Sequence, residues 1–448
     1  MPASENPPND AKVALRSRWR AFGPGLLFAG AAVGVSHIVQ STRGGAAYGT
    51  GALLIVVLSC LVKWPAFRFG SLYAAVTGES LLAGYRRQGR WVLAVFGLLT
   101  LAIIFTTLAA VTVVSAGLLM NLFPQIAPSL EGMGLAPQYQ AIMVSGLLLL
   151  FTTVLLIRGY RWLERIMKVV MPVLAIATLT ATVISLFRIS ADDVTWLPAI
   201  DDAKDVELAA GIIGWMPAPL DIAIWTSLWA LARARAAGSR PQPRNVLLDF
   251  DIGYVTTLLL AVCFVVMGAA IMHGGGQTFP ASSVAFAGQV VSLYTESLGD
   301  WSWGLIAFTA FLAMLSTTVT VCDGFPRAVA ALVSEAWPGR QEGPEGSRRM
   351  YWLAYVVGVI GAMLILIFAL GRKDISFTSL VDFVTITSFI AAPVLAFFNH
   401  RAANAAEIPA EFRPGPLLQA WSWLGIVVMG SFALGYIIFR IWLVSTAG

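Results

Sequence analysis

Charged residues are almost absent from eleven long apolar tracts of this chain, and that feature restricts its fold more than any motif. The tracts cover residues 23–42, 46–76, 91–122, 141–157, 163–187, 208–231, 252–272, 301–322, 351–370, 377–398 and 416–444, most of the 448 residues. A bilayer-crossing helix needs ~20 mostly apolar residues. Inside lipid the backbone must satisfy its own amides and carbonyls, so each tract is predicted to be a helix. Composition agrees: 58% of residues are hydrophobic and 12% charged, against roughly 25% charged in soluble chains. Disordered, collagen-like, disulfide-scaffold and typical soluble-enzyme classes are excluded. The expectation is an all-α polytopic membrane protein of about 11 transmembrane helices, with the lipid bilayer as its main partner.

The formal charge of +5 is spread over alternate connections and forms no single patch, so nucleic acid is not an expected partner. One side receives Arg86, Arg87 and Arg90; Arg158, Arg161, Arg165 and Lys168; Arg233, Arg235, Arg240 and Arg244; Arg340, Arg348 and Arg349; Arg401 and Arg413. The other receives Arg188, Lys204, Arg372 and Lys373, and its longest loop holds Asp192, Asp193, Asp201, Asp202, Asp205 and Glu207. Positive residues stay inside, so the N-terminus is expected in the cytoplasm and the C-terminus outside, in a bacterial-type inner membrane. Residues 1–22, with Lys12, Arg16, Arg18 and Arg20, lead into no short apolar core with a cleavage site. They read as a cytoplasmic tail rather than a signal peptide. Cys60, Cys263 and Cys322 lie in separate tracts without metal-ligand spacing and read as small core residues. No cofactor is expected.

Two tracts differ from the rest. The first is rich in small residues (Gly30, Ala31, Ala32, Gly34, Ser36) and the sixth contains Gly211, Gly214, Met216, Pro217, Ala218 and Pro219. Two prolines at spacing two remove backbone donors and break a helix. Interrupted helices five tracts apart point to an inverted-repeat transporter with its site between half-helices. The alternative is that glycine and proline are simply common in membrane helices.

Ionisable groups inside the tracts are His37, Lys63, Arg68, Asp221, Asp323, Asp382 and Arg440. Such groups are costly in lipid and mark function. His37, Asp221 and Asp382, on tracts one, six and ten, are expected to converge on a central cavity. Each also has a structural reading: a satisfied core histidine, a half-helix cap, a hydrated outer-edge carboxylate. Met216 is a packing residue or a soft ligand. The candidate substrate-binding set is Gly34, Ser36, His37, Ile213, Met216, Ala218, Asp221 and Asp382. The candidate metal ligands within it are His37, Met216, Asp221 and Asp382. Lys63 and Arg68 read as snorkelling or paired, and Asp323 with Arg327 as a helix-end pair. With no glycine-flanked serine, phosphate-cradling loop or paired metal-ligand histidines, an enzyme is not expected.

Several motifs in order resemble the Nramp family of divalent-metal transporters. Phe22-Gly23-Pro24-Gly25-Leu26-Leu27 is similar to that family's G-P-G-L-L start, and Tyr48-Gly49 falls where its Y-G ends the following turn. Thr77-Gly78-Glu79-Ser80-Leu81, Arg158-Gly159-Tyr160-Arg161-Trp162-Leu163-Glu164, Met216-Pro217 and Ser316-Thr317-Thr318-Val319-Thr320 resemble further family motifs. The resemblance implies a LeuT-like 5+5 inverted repeat plus one peripheral helix, with helices 1 and 6 interrupted and alternating access between them. It divides the chain into the tail 1–22, a first repeat 23–187, an acidic extracytoplasmic loop 188–207, a second repeat 208–398, and a loop with the peripheral helix 399–448. The departures are specific. The family's D-P-G-N reads Gly34-Val35-Ser36-His37 here, its M-P-H-N reads Met216-Pro217-Ala218-Pro219, and a later histidine falls at Ala223. Its helix-three acids align with Thr107 and Ala110, while Asp382 aligns approximately with a metal-contacting glutamine. The function expected is a secondary transporter of a metal cation with a departing site. A transporter of a small, amino-acid-like organic solute and a non-transporting receptor-like homologue are the alternatives.

Overall fold

The computed structural model describes residues 23–157, 160–189, 194–273, 280, 282–337, 343–370 and 376–447. The basic tail and the loop residues Arg158, Asp192, Asp193, Arg340, Arg372 and Lys373 lie outside the described residues. Every described element is helical: α1 (Pro24–Ala32), α2 (Thr42–Tyr48), α3 (Ala52–Thr77), α4 (Leu81–Gln88), α5 (Arg90–Leu122), α6 (Ile126–Gly132), α7 (Pro137–Ile157) and α8 (Tyr160–Leu186). There follow α9 (Ala203–Trp215), α10 (Ile222–Ala237), α11 (Pro243–Met272), α12 (Ser283–Leu298), α13 (Trp303–Ala336), α14 (Gly343–Ile365), α15 (Phe377–Ala403) and α16 (Pro416–Ala447), with short 3₁₀ and π turns between some of them.

Eight stretches among the described residues are long and apolar enough to cross a membrane. The first, Pro24–Thr77, runs for 54 residues and takes in both of the first two sequence tracts. α8 and the α9–α10 pair, which carry the fifth and sixth tracts, fall outside the eight. The boundary between tracts one and two sits later than hydropathy placed it. α2 carries the first helix on to Tyr48, and Gly49, at φ +57°, turns the chain into α3. Glycine tolerates that left-handed geometry where a side chain strains it. Gly78 does the same at the end of α3 (φ +74°), which explains the Thr77-Gly78 motif as a helix stop. α12 is an element that the tract reading omitted, a 16-residue helix between two spans.

Small residues let the helices of the centre approach closely. α11 packs along α1, α2 and α3, and a Cβ at Gly25 would stand 2.0 Å from the Asp249 carbonyl oxygen. The Asp249 carboxylate accepts the Gly25 amide at 2.8 Å and the Gly23 amide at 3.2 Å, so α11 caps the start of α1. α13 lies against α5 and α1, and α15 against α9 and α3. The two interrupted helices thereby pack against each other and against unbroken ones.

Candidate functional site

The first helix is broken where its side chains are smallest. α1 ends at Ala32, Val33 and Gly34 leave helical geometry, and a π turn over Val35–Ser41 leads into α2. A break frees carbonyls that need donors. The Thr317 hydroxyl of α13 supplies one, 2.8 Å from the Gly30 oxygen and 3.2 Å from the Val33 oxygen. A Cβ at Gly34 would come within 2.5 Å of Thr317 Oγ1, so the missing side chain is what admits the hydroxyl. The Ser36 hydroxyl serves the Ala32 carbonyl, and Ser41 Oγ lies 3.3 Å from the Ser36 oxygen.

The sixth helix breaks at residues 216–221, between α9 and α10, with a cis peptide between Met216 and Pro217. Here the freed carbonyls meet a cation of the chain itself. Lys63 of α3, fully buried, donates from Nζ to the Gly214 oxygen at 2.9 Å and to the Ile213 oxygen. An ammonium is favourable at the negative end of a helix dipole. Gly214 also seats α9 on α15: a Cβ there would stand 2.1 Å from the Thr385 carbonyl oxygen.

Asp382 of α15 is held by Arg43 of α2 in a two-point pair, 2.6 Å from Nη1 to Oδ1 and 3.1 Å from Nη2 to Oδ2. Gln40 joins them, its Nε2 3.2 Å from Thr385 Oγ1 and its Oε1 accepting from Arg43 at 3.1 Å. His37 has both ring nitrogens engaged. Nε2 donates to the Thr257 carbonyl at 2.8 Å, and Nδ1 lies 2.8 Å from Ser36 Oγ. Met216 is fully buried with its sulfur 4.0 Å from Ser41 Oγ, Ala218 is fully buried, and Ile213 is half-buried. Asp221 is 3% exposed and lines a small cavity against α5 and α15. Of the sequence candidates, then, the structure joins Ser36 to His37 and brings Met216 against the first helix through Ser41. His37, Asp221 and Asp382 do not converge: His37 meets Ser36 and Thr257, Asp382 meets Arg43, and Asp221 faces its own small cavity against α5 and α15. Among the described residues no three His, Cys, Asp or Glu side chains form a group able to hold a metal ion.

Asp323 and Arg327 pair at 2.6 Å. The same carboxylate accepts Trp229 Nε1 at 2.8 Å and the Tyr351 hydroxyl at 3.0 Å, which ties α10, α13 and α14 together. Beside this knot opens a cavity of about 660 Å³, lined by Glu79, Arg235, Asp323, Arg327, Glu335 and Arg348 among others. Sequence reasoning omitted Arg43 and Gln40, named Thr317 only within a family motif, and read Lys63 as snorkelling or paired with no part in the site. Lys63 carried the clearest signal: a lysine at the middle of a 31-residue apolar tract is too deep to reach either surface.

Residues 25–439 match the family model for natural resistance-associated macrophage protein-like (Nramp) sequences. An uncharacterized protein of Pasteurella multocida (strain Pm70) is 33% identical over 426 residues, covering 94% of this chain and 92% of that one. The structure is similar to that of a manganese transporter of Eremococcus coleocola, with TM-score 0.68 and 16% identity over 97% of this chain and 88% of the other. It is also similar to MhsT, solved in complex with L-phenylalanine, with TM-score 0.61 and 15% identity over 92% and 97% of the two chains. With broken first and sixth helices packed among continuous ones, and a family match over nearly its whole length, the chain belongs to the Nramp family of multi-pass membrane transporters and has the LeuT-like fold.

Proposed function

We propose that this protein carries a metal cation across a bacterial inner membrane by alternating access, at a site built differently from its relatives'. The membrane arrangement we propose has eleven crossings, with the N-terminus cytoplasmic and the C-terminus outside. Pro24–Thr77 supplies two of them, and α8 and the α9–α10 pair add two to the remaining stretches. The two repeats are residues 23–187 and 208–398, the eleventh helix is peripheral, and residues 188–207 form the outer loop.

The observation that carries the reading is the pair of broken helices closed over by one ion pair. In this conformation Arg43 occupies Asp382 and holds α2 against α15. When α2 and α9 swing away, Asp382 loses its arginine and attracts a cation. Met216 and Ser41, in contact across the two breaks, supply a soft sulfur and an oxygen, a set that favours a transition metal over magnesium. The 660 Å³ cavity on the arginine-rich side then serves as the inward exit. His37, with both nitrogens engaged, orients the π turn; Gly34, Ser36, Ile213 and Ala218 shape the wall.

Reconstitution into liposomes tests this, with uptake of manganese, iron, zinc, magnesium and calcium ions measured one at a time. Transition-metal uptake that falls about tenfold or more in Asp382→Asn, as loss of a charge-assisted contact implies, supports the proposal. Uptake of none of the five rejects it.

One observation favours a second reading, a small organic solute. Lys63 already holds the α9 carbonyls, and unit charges ~4 Å apart interact by about 4 kcal/mol at an effective dielectric near ~20. A divalent ion at those carbonyls meets about twice that repulsion, whereas a solute carboxylate is attracted. The solved relative MhsT, which holds L-phenylalanine, has the same fold. Thermal-shift screening of amino acids beside the five metals separates the two readings, and flux of neither class points to a receptor-like protein.

A further inference from the structure

Three guanidinium groups from three separate elements meet at a second cavity, whose described lining includes no residue of either helix break. It has a volume of about 300 Å³ and lies between α3, the start of α11 and the connection into α16. Arg68 of α3, Arg244 of α11 and Arg413 of the connection line it, against one carboxylate among the described lining, that of the exposed Glu411. The donors outnumber the acceptors that the protein offers. Arg68 spends Nε on both oxygens of Asp251, at 3.1 and 3.2 Å. Arg413 donates from Nε to the Ile408 carbonyl at 2.8 Å and from Nη2 to that of Ala406 at 3.2 Å. Both terminal nitrogens of Arg68, one of Arg413 and the whole guanidinium of Arg244 meet no acceptor among the described residues. The neighbouring acids are engaged elsewhere. Asp251 also accepts from Trp64 Nε1 at 3.1 Å, Asp249 caps α1, and Glu407 serves Tyr73 and Arg87. α3 and α16 contain no acidic residue.

We propose that this cavity binds an anionic phospholipid, whose phosphate takes the idle donors of Arg68, Arg244 and Arg413 while its acyl chains run out over the apolar flank beside α11 and α16. Guanidinium forks match phosphate oxygens and form strong charge-assisted bonds with them. Basic pockets between membrane helices are the places where anionic headgroups are held. The rest of the wall selects a lipid over a free anion. It is built of Leu72, Leu247, Phe412 and Leu418, and beside it stand Leu248, 52% exposed, and Leu417, 82% exposed. Such a surface gains nothing from inorganic phosphate but is taken out of water by a lipid's glycerol and first methylenes. The depth is also right. Trp64, one helical turn from Arg68, packs on Trp421 of α16 with ring centroids 4.9 Å apart, and tryptophans gather at the headgroup level of a bilayer. The volume suits a phosphate with its glycerol and leaves the chains outside. A lipid seated there bridges α16 to α3 and α11.

Native mass spectrometry of the detergent-purified full chain tests the site without any transport measurement. Phosphatidylglycerol and phosphatidylcholine with identical chains are titrated separately, and the wild type is expected to retain the first the more tightly. Arg244→Gln alters an exposed side chain that makes no contact with an acid. It is expected to weaken phosphatidylglycerol binding about tenfold, as loss of a charge-assisted contact implies, and to leave phosphatidylcholine binding unchanged. Arg401→Gln, at an exposed arginine near the end of α15 that lies outside the cavity lining, serves as the control and is expected to change neither. Equal retention of the two lipids by the wild type overturns the proposal. So does a loss in Arg401→Gln as large as that in Arg244→Gln, because the binding would then be diffuse surface charge. Thermal unfolding supplies the second arm: phosphatidylglycerol is expected to raise the midpoint of the wild type more than that of Arg244→Gln. Inorganic phosphate that raises it equally, with the same dependence on Arg244, would show a free-anion pocket and overturn the lipid assignment.

Discussion

Lys63 is the residue on which the centre of this molecule leans hardest. Its ammonium is the donor for two carbonyls at the end of α9, deep in the protein. Replacing it with methionine keeps the stem's volume but strips both acceptors, and each buried unsatisfied group costs about 1–3 kcal/mol. Lys63→Met is expected to lower the thermal unfolding midpoint in detergent by several degrees, whereas Arg68→Met, at a partly exposed pair with Asp251, moves it little. Equal midpoints for the two variants would remove Lys63 from this role. The sequence showed that Lys63, His37, Asp221 and Asp382 were ionisable groups inside apolar tracts, which is a local fact. Their partners are not local: Arg43 and Asp382 stand 339 positions apart, and His37 and Thr257 220. Such distances are bridged by packing, and one chain read alone carries no record of them.

At the scale of the element, the breaks were legible to different degrees. Pro217 and Pro219 announce the sixth helix's interruption because proline cannot supply the amide. The first helix has no proline at its break; what opens it is a hydroxyl from another helix entering beside Gly34. Gly34→Ala therefore overpacks this contact, and such insertions cost about 1–3 kcal/mol. Paired with Thr317→Ala, which removes the two nearest atoms, Oγ1 and Cγ2, loses the cap and leaves only Cβ close at 2.9 Å, the double variant is expected to lose less stability than the two singles added together. A thermal-unfolding double-mutant cycle reads that coupling directly; additive losses would mean the two residues do not press on each other. The Gly49 and Gly78 turns were present in the sequence as motifs, but their left-handed geometry came only with the structure. α12 escaped the tract reading altogether, since a 16-residue helix is shorter than a crossing.

For the whole molecule, hydropathy and charge together make a prediction about topology. Eleven crossings would put the two termini on opposite faces, and the positive-inside bias would then have the 660 Å³ cavity beside Arg235, Arg327 and Arg348 open inward. A single cysteine at Arg348, introduced after the three native cysteines are replaced, is expected to resist membrane-impermeant maleimide in intact cells, and one at Thr446 to react. Both reacting, or neither, would show that a crossing has been miscounted. What the sequence determined by itself is the class of object: apolar tracts long enough for lipid, an uneven charge between alternate connections, and a sixth helix that proline must break. Hydropathy, charge and proline act on the chain where they stand, so they can be read in order along it. Which polar group answers which was decided only when the helices packed. Thr317 at one break, Lys63 at the other, Arg43 on Asp382 and, among the described residues, no side-chain partner for Asp221 are outcomes of three-dimensional proximity, because a buried donor or acceptor takes the partner that the fold places within reach.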